Sequence, residues 1–229
     1  MMSPRVTMTL FAGLMLGACS SKPAGLSTAD QGPAMPIDHA GIGPASSASA
    51  RVQRMSVSQL RGALPVVLGN DLAGAPITWR INGKPGLDQM GESLGEADYI
   101  ERTQDDLEPS PLYLKFVNDA ARDACARAVV ADYGRPTKSA RSLLRQVELG
   151  DTVATAATAV DSNLRYLKLR FHGVKVDAAD VSSIADLRTA FSAAVKASAG
   201  SSTPTEANVK EGWRTVCVAL LTAPEFHLY

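Results

Sequence analysis

In the second half of the chain, apolar residues recur every three or four positions. Leu114, Val117, Ala121, Cys125 and Ala128 form one such set, Ile184, Leu187, Phe191 and Val195 a second, and Val209, Trp213, Cys217 and Leu220 a third. This spacing places each set on one face of an α-helix. A helix with a single apolar stripe must bury it against another element. The two-residue period of a half-buried strand appears only at Ile77, Trp79 and Ile81. The expected fold class is therefore mainly α: one helical domain over residues 51–229, with one short β-hairpin. Abundant alanine and an aromatic content of only 5% favour helices packed through small residues over a β-sandwich.

Local signals mark the helix ends. Ser56 followed by Gln59 fits a capping box. Leu60, Ala63, Leu64 and Val67 then make an apolar stripe that Gly69 stops. Residues 69–107 are rich in glycine and read as a long connection. Further helices are expected after Pro111, from Thr137 to Leu149, briefly after Asp151, from an N-cap at Asp161 or Ser162 to Gly173, and across Ser182–Ser198. The last helix is expected to start near Pro204 and break near Pro224.

Charge and composition narrow the function classes. The chain carries 23 basic and 23 acidic residues, so no strongly basic face suited to nucleic acid is expected. No C-x-x-C-H haem motif, clustered Cys/His zinc set or phosphate-binding loop appears, so no cofactor, no metal and no catalytic residue is expected. Gly91-Glu92-Ser93-Leu94-Gly95 matches G-x-S-x-G, but "NGKPGLDQM" before it is no buried strand, and Ser93 reads as a turn residue rather than a nucleophile. The chain is thus not expected to be an enzyme.

Three features are candidates for binding. Arg165, Lys168 and His172 fall on one helical face, suited to an anionic head group or an acidic partner, or simply to solvent. Trp79, in the long connection, is a candidate contact residue, whereas Trp213 belongs to a core stripe. "EADYIERTQDDLEPSP" concentrates carboxylates without the regular oxygen spacing of a calcium loop, and suits solvation and the N-terminus of the helix that follows. Cys125 and Cys217 both lie on apolar faces; they are either a helix–helix disulfide or two buried thiols.

The first residues indicate an address. Arg5 is followed by the apolar run Val6–Leu16 and then by Gly17, Ala18 and Cys19. This arrangement resembles the lipobox of bacterial lipoproteins. The resemblance implies a signal peptide over 1–18, cut before Cys19, with fatty acids on the Cys19 thiol and on the amino group that the cut exposes. Several acyl chains on one residue make a stable membrane anchor. Ser20 is compatible with outer-membrane sorting in that family. Residues 19–50 are mostly Ala, Gly, Ser and Pro, the composition of a flexible tether reaching about 30 Å.

Two stretches, "RMSVSQLRGALPVVLG" and "GWRTVCVALLTAPEFHLY", are similar to the opening and closing motifs of domains in large exported proteins of planctomycetes and myxobacteria. Those proteins are often fused to, or encoded beside, cytochrome c-type domains. The resemblance implies an extracytoplasmic setting and assigns no catalytic residue. The expected function is a lipid-anchored envelope protein, a binding or accessory component of an envelope assembly, whose partners are the membrane through Cys19 and another envelope protein. The alternative is a subunit or partner of an exported, cytochrome-associated redox system.

Overall fold

A computed structural model describes residues 52–229. The expected signal peptide over 1–18, Cys19 and the tether over 19–50 lie outside the described residues. The elements are α1 (Val57–Leu68), a hairpin of β1 (Arg80–Ile81) and β2 (Lys84–Pro85), α2 (Gly86–Met90), α3 (Pro111–Tyr133), α4 (Val153–His172), α5 (Ala185–Ala199), α6 (Glu206–Thr222) and α7 (Pro224–His227). The described residues are thus mainly helical, with one antiparallel hairpin. Asn82 and Gly83 at its turn both have positive φ, as a tight two-residue hairpin loop requires.

α6 is the central element. It packs chiefly against α5 and α3, while α4 lies against α5, α6 and α7. Its buried face comprises Val209, Gly212, Trp213, Val216, Cys217, Leu220 and Leu221. Each large apolar side chain here adds roughly 1.5–3 kcal/mol on leaving water. The close approach of its neighbours depends on small residues. Ala120, Ala121, Ala124 and Ala128 are buried on α3. On α6, a Cβ at Gly212 would lie 2.6 Å from Val195 and 2.8 Å from the Phe191 ring, so only glycine fits this crossing. Phe191 and Trp213 stack beside it with centroids 4.5 Å apart. Cys125 and Cys217 form a disulfide that joins α3 to α6, with Cα atoms 5.7 Å apart and a sequence separation of 92. Both are fully buried.

α1 begins with the expected capping box: Ser56 Oγ accepts from the N–H of Gln59, and Gln59 Oε1 accepts from that of Ser56. Its last carbonyls are met from across the fold, where Arg170 donates to Val66 and Val67. The two ends of the described chain pair with each other. Gln53 and Tyr229 exchange backbone hydrogen bonds at 2.8 Å, and Met55 N–H donates to the His227 carbonyl. The start of the Arg54–Gly69 stretch therefore meets the end of the Gly212–Tyr229 stretch.

Several expectations require correction. Leu114 faces solvent at 48% exposed, and Tyr113 takes the buried position in the first turn of α3. Residues 137–149 contain only a single 3₁₀ turn, Lys138–Ala140, in place of a helix. Their backbone groups find partners in side chains instead. Buried Asp132 accepts from the N–H groups of Ser142, Leu143 and Leu144, and buried Arg141 donates to the carbonyls of Arg135, Pro136 and Val147. α4 starts at Val153, capped by Thr152 and Thr155, with one irregular residue at Ala156. Asp161, expected as an N-cap, sits within α4 and pairs with Arg188 of α5 at 3.4 Å. Pro204 precedes the Thr205 cap of α6 rather than opening its first turn; Asn208 Oδ1 accepts from the N–H of Thr205.

Candidate interaction surface

The basic face of α4 is turned to internal use. Arg165 donates to the Ala178 carbonyl at 2.8 Å, Lys168 to that of Ser183 at 3.1 Å, and His172 Nε2 to that of Leu220 at 3.0 Å. The structure does bring these three residues onto one side of one helix. Their partners are the connection to α5 and the end of α6. Asp180 completes this connection. Its carboxylate accepts from Ser183 and Ser182, which pulls its pKa down to about 2.

Trp79 lies in the core, at 4% exposed. Gly86 makes this possible: a Cβ there would fall 2.5 Å from the indole, so α2 seats its first residue flat on the ring. Phe116 covers another side, at 5.7 Å between centroids. As a surface contact residue Trp79 is therefore withdrawn.

A different feature emerges between α2 and α3. Residues Gly95–Leu107 form a loop whose two ends are held together. Asp106 N–H donates to the Gly95 carbonyl and Arg54 N–H to that of Leu107. The Arg54 side chain, itself buried, clasps both flanks by donating to the carbonyls of Leu94 and of Glu108. Its guanidinium sits 4.4 Å over the Tyr113 ring. Compact loops closed in this way are frequently functional. The segment Gly91–Gly95 supplies the lower turn: Glu92–Leu94 is a 3₁₀ turn, Ser93 is exposed, and no strand leads into it, as the turn reading of that motif expects.

The tip of the loop is ordered by its own carboxylates. Asp98 Oδ1 accepts from the backbone N–H groups of Ile100, Glu101 and Arg102 at 3.0, 2.9 and 2.9 Å. These bonds, that from Arg102 foremost, hold the Asp98 carboxyl below its ordinary pKa. Asp105 accepts from the N–H of Ala97, and Tyr99 N–H donates to the Arg102 carbonyl. Tyr99 adopts φ 60°, a left-handed conformation that a bulky residue rarely takes. The outcome is that Tyr99 and Ile100 stand out into solvent at 79% and 90% exposed.

Between positions 92 and 108 the sequence carries seven carboxylates, Glu92, Glu96, Asp98, Glu101, Asp105, Asp106 and Glu108, and one cation, Arg102. Among the described residues only Glu96 of the seven forms an ion pair, with Arg61. A cleft of about 290 Å³ opens beside Asp98 and Glu101, and a broader one of about 760 Å³ beside Asp105, Asp106 and Glu108. The carboxylates are plain in the sequence, whereas the exposure of Tyr99 and Ile100 is not. The signal was present as an apolar pair set inside an acidic run.

Among the described residues, no group of three or more His, Cys, Asp and Glu side chains is arranged to hold a metal ion, and no helix is long and apolar enough to cross a membrane. Comparison of the chain with protein-family models, with curated proteins and with solved structures gives no match.

Proposed function

We propose that this chain is a lipid-anchored protein of the bacterial cell envelope, held at the outer membrane through acylated Cys19, and that its helical domain is a binding or accessory component for another envelope protein. The observation that carries the compartment is the Cys125–Cys217 disulfide. It is buried between α3 and α6, where it can form and persist in an oxidising environment such as the periplasm or cell surface and is rare in a reducing cytosol. The lipobox resemblance at Leu16–Cys19 supports the same address independently. A binding role is supported by the way the described residues spend their polar side chains. Arg54, Asp132, Arg141 and Arg170 serve backbone groups, while the carboxylates between positions 92 and 108, of which Glu96 alone is ion-paired among the described residues, lie on and beside an outward-facing loop.

The test is metabolic labelling with a clickable fatty acid, followed by mass spectrometry of the mature amino terminus. The expected result is an amino-terminal Cys19 bearing acyl chains, with label and outer-membrane fractionation both lost in Cys19→Ala. An unmodified amino terminus, or unchanged fractionation of that variant, overturns the address. Crosslinking of the anchored protein in intact envelopes tests the role: a discrete adduct of fixed mass is expected, and its absence under conditions that crosslink a known envelope complex removes the binding reading.

A further inference from the structure

We infer that the Gly95–Leu107 loop is a docking element for a basic segment of a partner protein, which sets an apolar side chain on Tyr99 and Ile100 and its lysines or arginines among the flanking carboxylates. This rests on the binding role proposed above and names the surface and the partner's chemistry. Three features converge on it.

The first is exposure. A tyrosine and an isoleucine side by side at 79% and 90% exposed are in contact with nothing that removes them from water. A floppy loop would fold such a pair back onto the domain to recover burial free energy. This one is prevented from doing so by the three amide bonds to Asp98 and by the closure of its base through Arg54.

The second is order. Because the tip already holds one conformation, little backbone freedom remains to be lost on binding, which is the main cost an exposed loop otherwise brings to an interface. Tyrosine contributes a large, rigid contact area and is among the residues that dominate interface energetics.

The third is charge. In sequence, Asp98 and Glu101 bracket the apolar pair directly, and further carboxylates line the two clefts on the loop. An anionic bilayer surface would be repelled by them. A segment carrying lysine or arginine gains from them, and its approach would be steered by the field of the loop. The apolar pair supplies the short-range contact, and the acidic flanks select the sign of the partner.

The experiment uses the full-length chain in detergent as bait for a random-peptide phage library, with the selected peptides then synthesised and titrated by fluorescence anisotropy. The enriched peptides are expected to combine lysine or arginine with a bulky apolar residue. Their Kd should weaken about tenfold in the Tyr99→Ser/Ile100→Ser double variant. It should also weaken several-fold in Glu101→Lys and on raising salt from about 0.1 M to about 1 M. Asp98→Ala retains both apolar side chains but frees the tip, and should weaken binding at least threefold; circular dichroism of each variant checks that the domain is intact. Selected peptides that bind the double variant as tightly as the parent overturn the loop assignment while leaving a binding role in place. A library that yields no peptide above background overturns both. Concentration-dependent dimers that vanish in the double variant assign the loop to a second copy of this chain. Adsorption to vesicles of equal parts phosphatidylcholine and phosphatidylglycerol that the double variant loses assigns it to lipid. Either result overturns the proposal.

Discussion

The carboxylate of Asp132, in the last turn of α3, accepts the backbone N–H of Leu143 at 2.6 Å, eleven residues further along the chain. The same side chain takes the amides of Ser142 and Leu144, and Arg135 closes the set at 3.1 Å. Both Asp132 and the Leu143–Leu144 pair are buried. One side chain therefore substitutes for the helical ladder that this segment would otherwise need. Asp132→Ala should leave three amides without their acceptor, those of Leu143 and Leu144 in a buried site, at a cost of about 3–5 kcal/mol. Asp132→Asn keeps one acceptor oxygen and should lose less. Urea unfolding monitored by circular dichroism checks this; a loss under about 1 kcal/mol for the alanine variant would show that the segment has another source of order.

That segment also shows where reading the chain by eye reaches its limit. The stripes of α5 and α6 and the Ser56–Gln59 box were legible because each is set by residues within one or two turns of each other. Residues 137–149 have local preferences compatible with a helix, yet their hydrogen-bond partners, Asp132 and Arg141, act through tertiary placement that no periodicity reports. α4 starts at Val153, well before Asp161, which is a good cap residue only in isolation. Its pairing with Arg188 becomes visible only once α5 is laid alongside. Likewise, Arg165, Lys168 and His172 could be assigned to one face, but not to the carbonyls that occupy it. Trp79 could be seen as a large apolar residue in a polar stretch, but not the glycine that makes room for it. In the loop, the acidic run was plain, whereas the closure by Arg54 from forty residues upstream was not.

The disulfide closes a loop of about ninety residues, and in the chain-entropy model such a cross-link stabilises by about 4.5 kcal/mol. Breaking it should not change the architecture, because Cys125 and Cys217 as thiols would still be small apolar side chains in a packed helix interface. The expected outcome is a large fall in the denaturant midpoint on reduction, with the far-ultraviolet circular dichroism spectrum retained under native conditions. The Cys125→Ala/Cys217→Ala variant should behave as the reduced protein does. Identical midpoints with and without reductant would mean that the bridge adds nothing to stability.

Gly212 offers a test of the α5–α6 crossing. Alanine has a higher helix propensity than glycine by about 1 kcal/mol, so on an open helix face Gly212→Ala would stabilise. Here the added carbon would press on Val195 and Phe191, both buried and neither able to swing into solvent. Overpacking should outweigh the propensity gain and leave a net loss of about 1–2 kcal/mol. Thermal unfolding decides the sign: a variant more stable than the parent would show that the two helices do not approach as closely as this.

His227 should make the domain sensitive to mild acid. The residue is buried beside the Tyr113 ring, at 5.7 Å between centroids, with Arg54 over that same ring. Burial holds the His227 pKa below its ordinary value of 6.5, and the hydrogen bond to the Thr222 carbonyl offsets this only in part. The unfolded chain therefore takes up a proton at a pH where the folded chain does not. Stability is full above pH 6.5, declines as pH falls from there to the depressed value, and levels off below it. One such group can contribute at most about 1.4 kcal/mol per pH unit. Because His227 sits at the seam where the chain ends pair, protonation should loosen Gln53–Met55 and the base of the Gly95–Leu107 loop first, seen as faster amide exchange at Met55 and at Arg54, whose N–H groups donate to the carbonyls of His227 and Leu107 respectively. His227→Gln can still donate to Thr222 but does not titrate, and its stability should be flat between pH 7 and pH 5 relative to the parent. Parallel pH profiles for the two proteins would remove His227 as the source of the acid sensitivity.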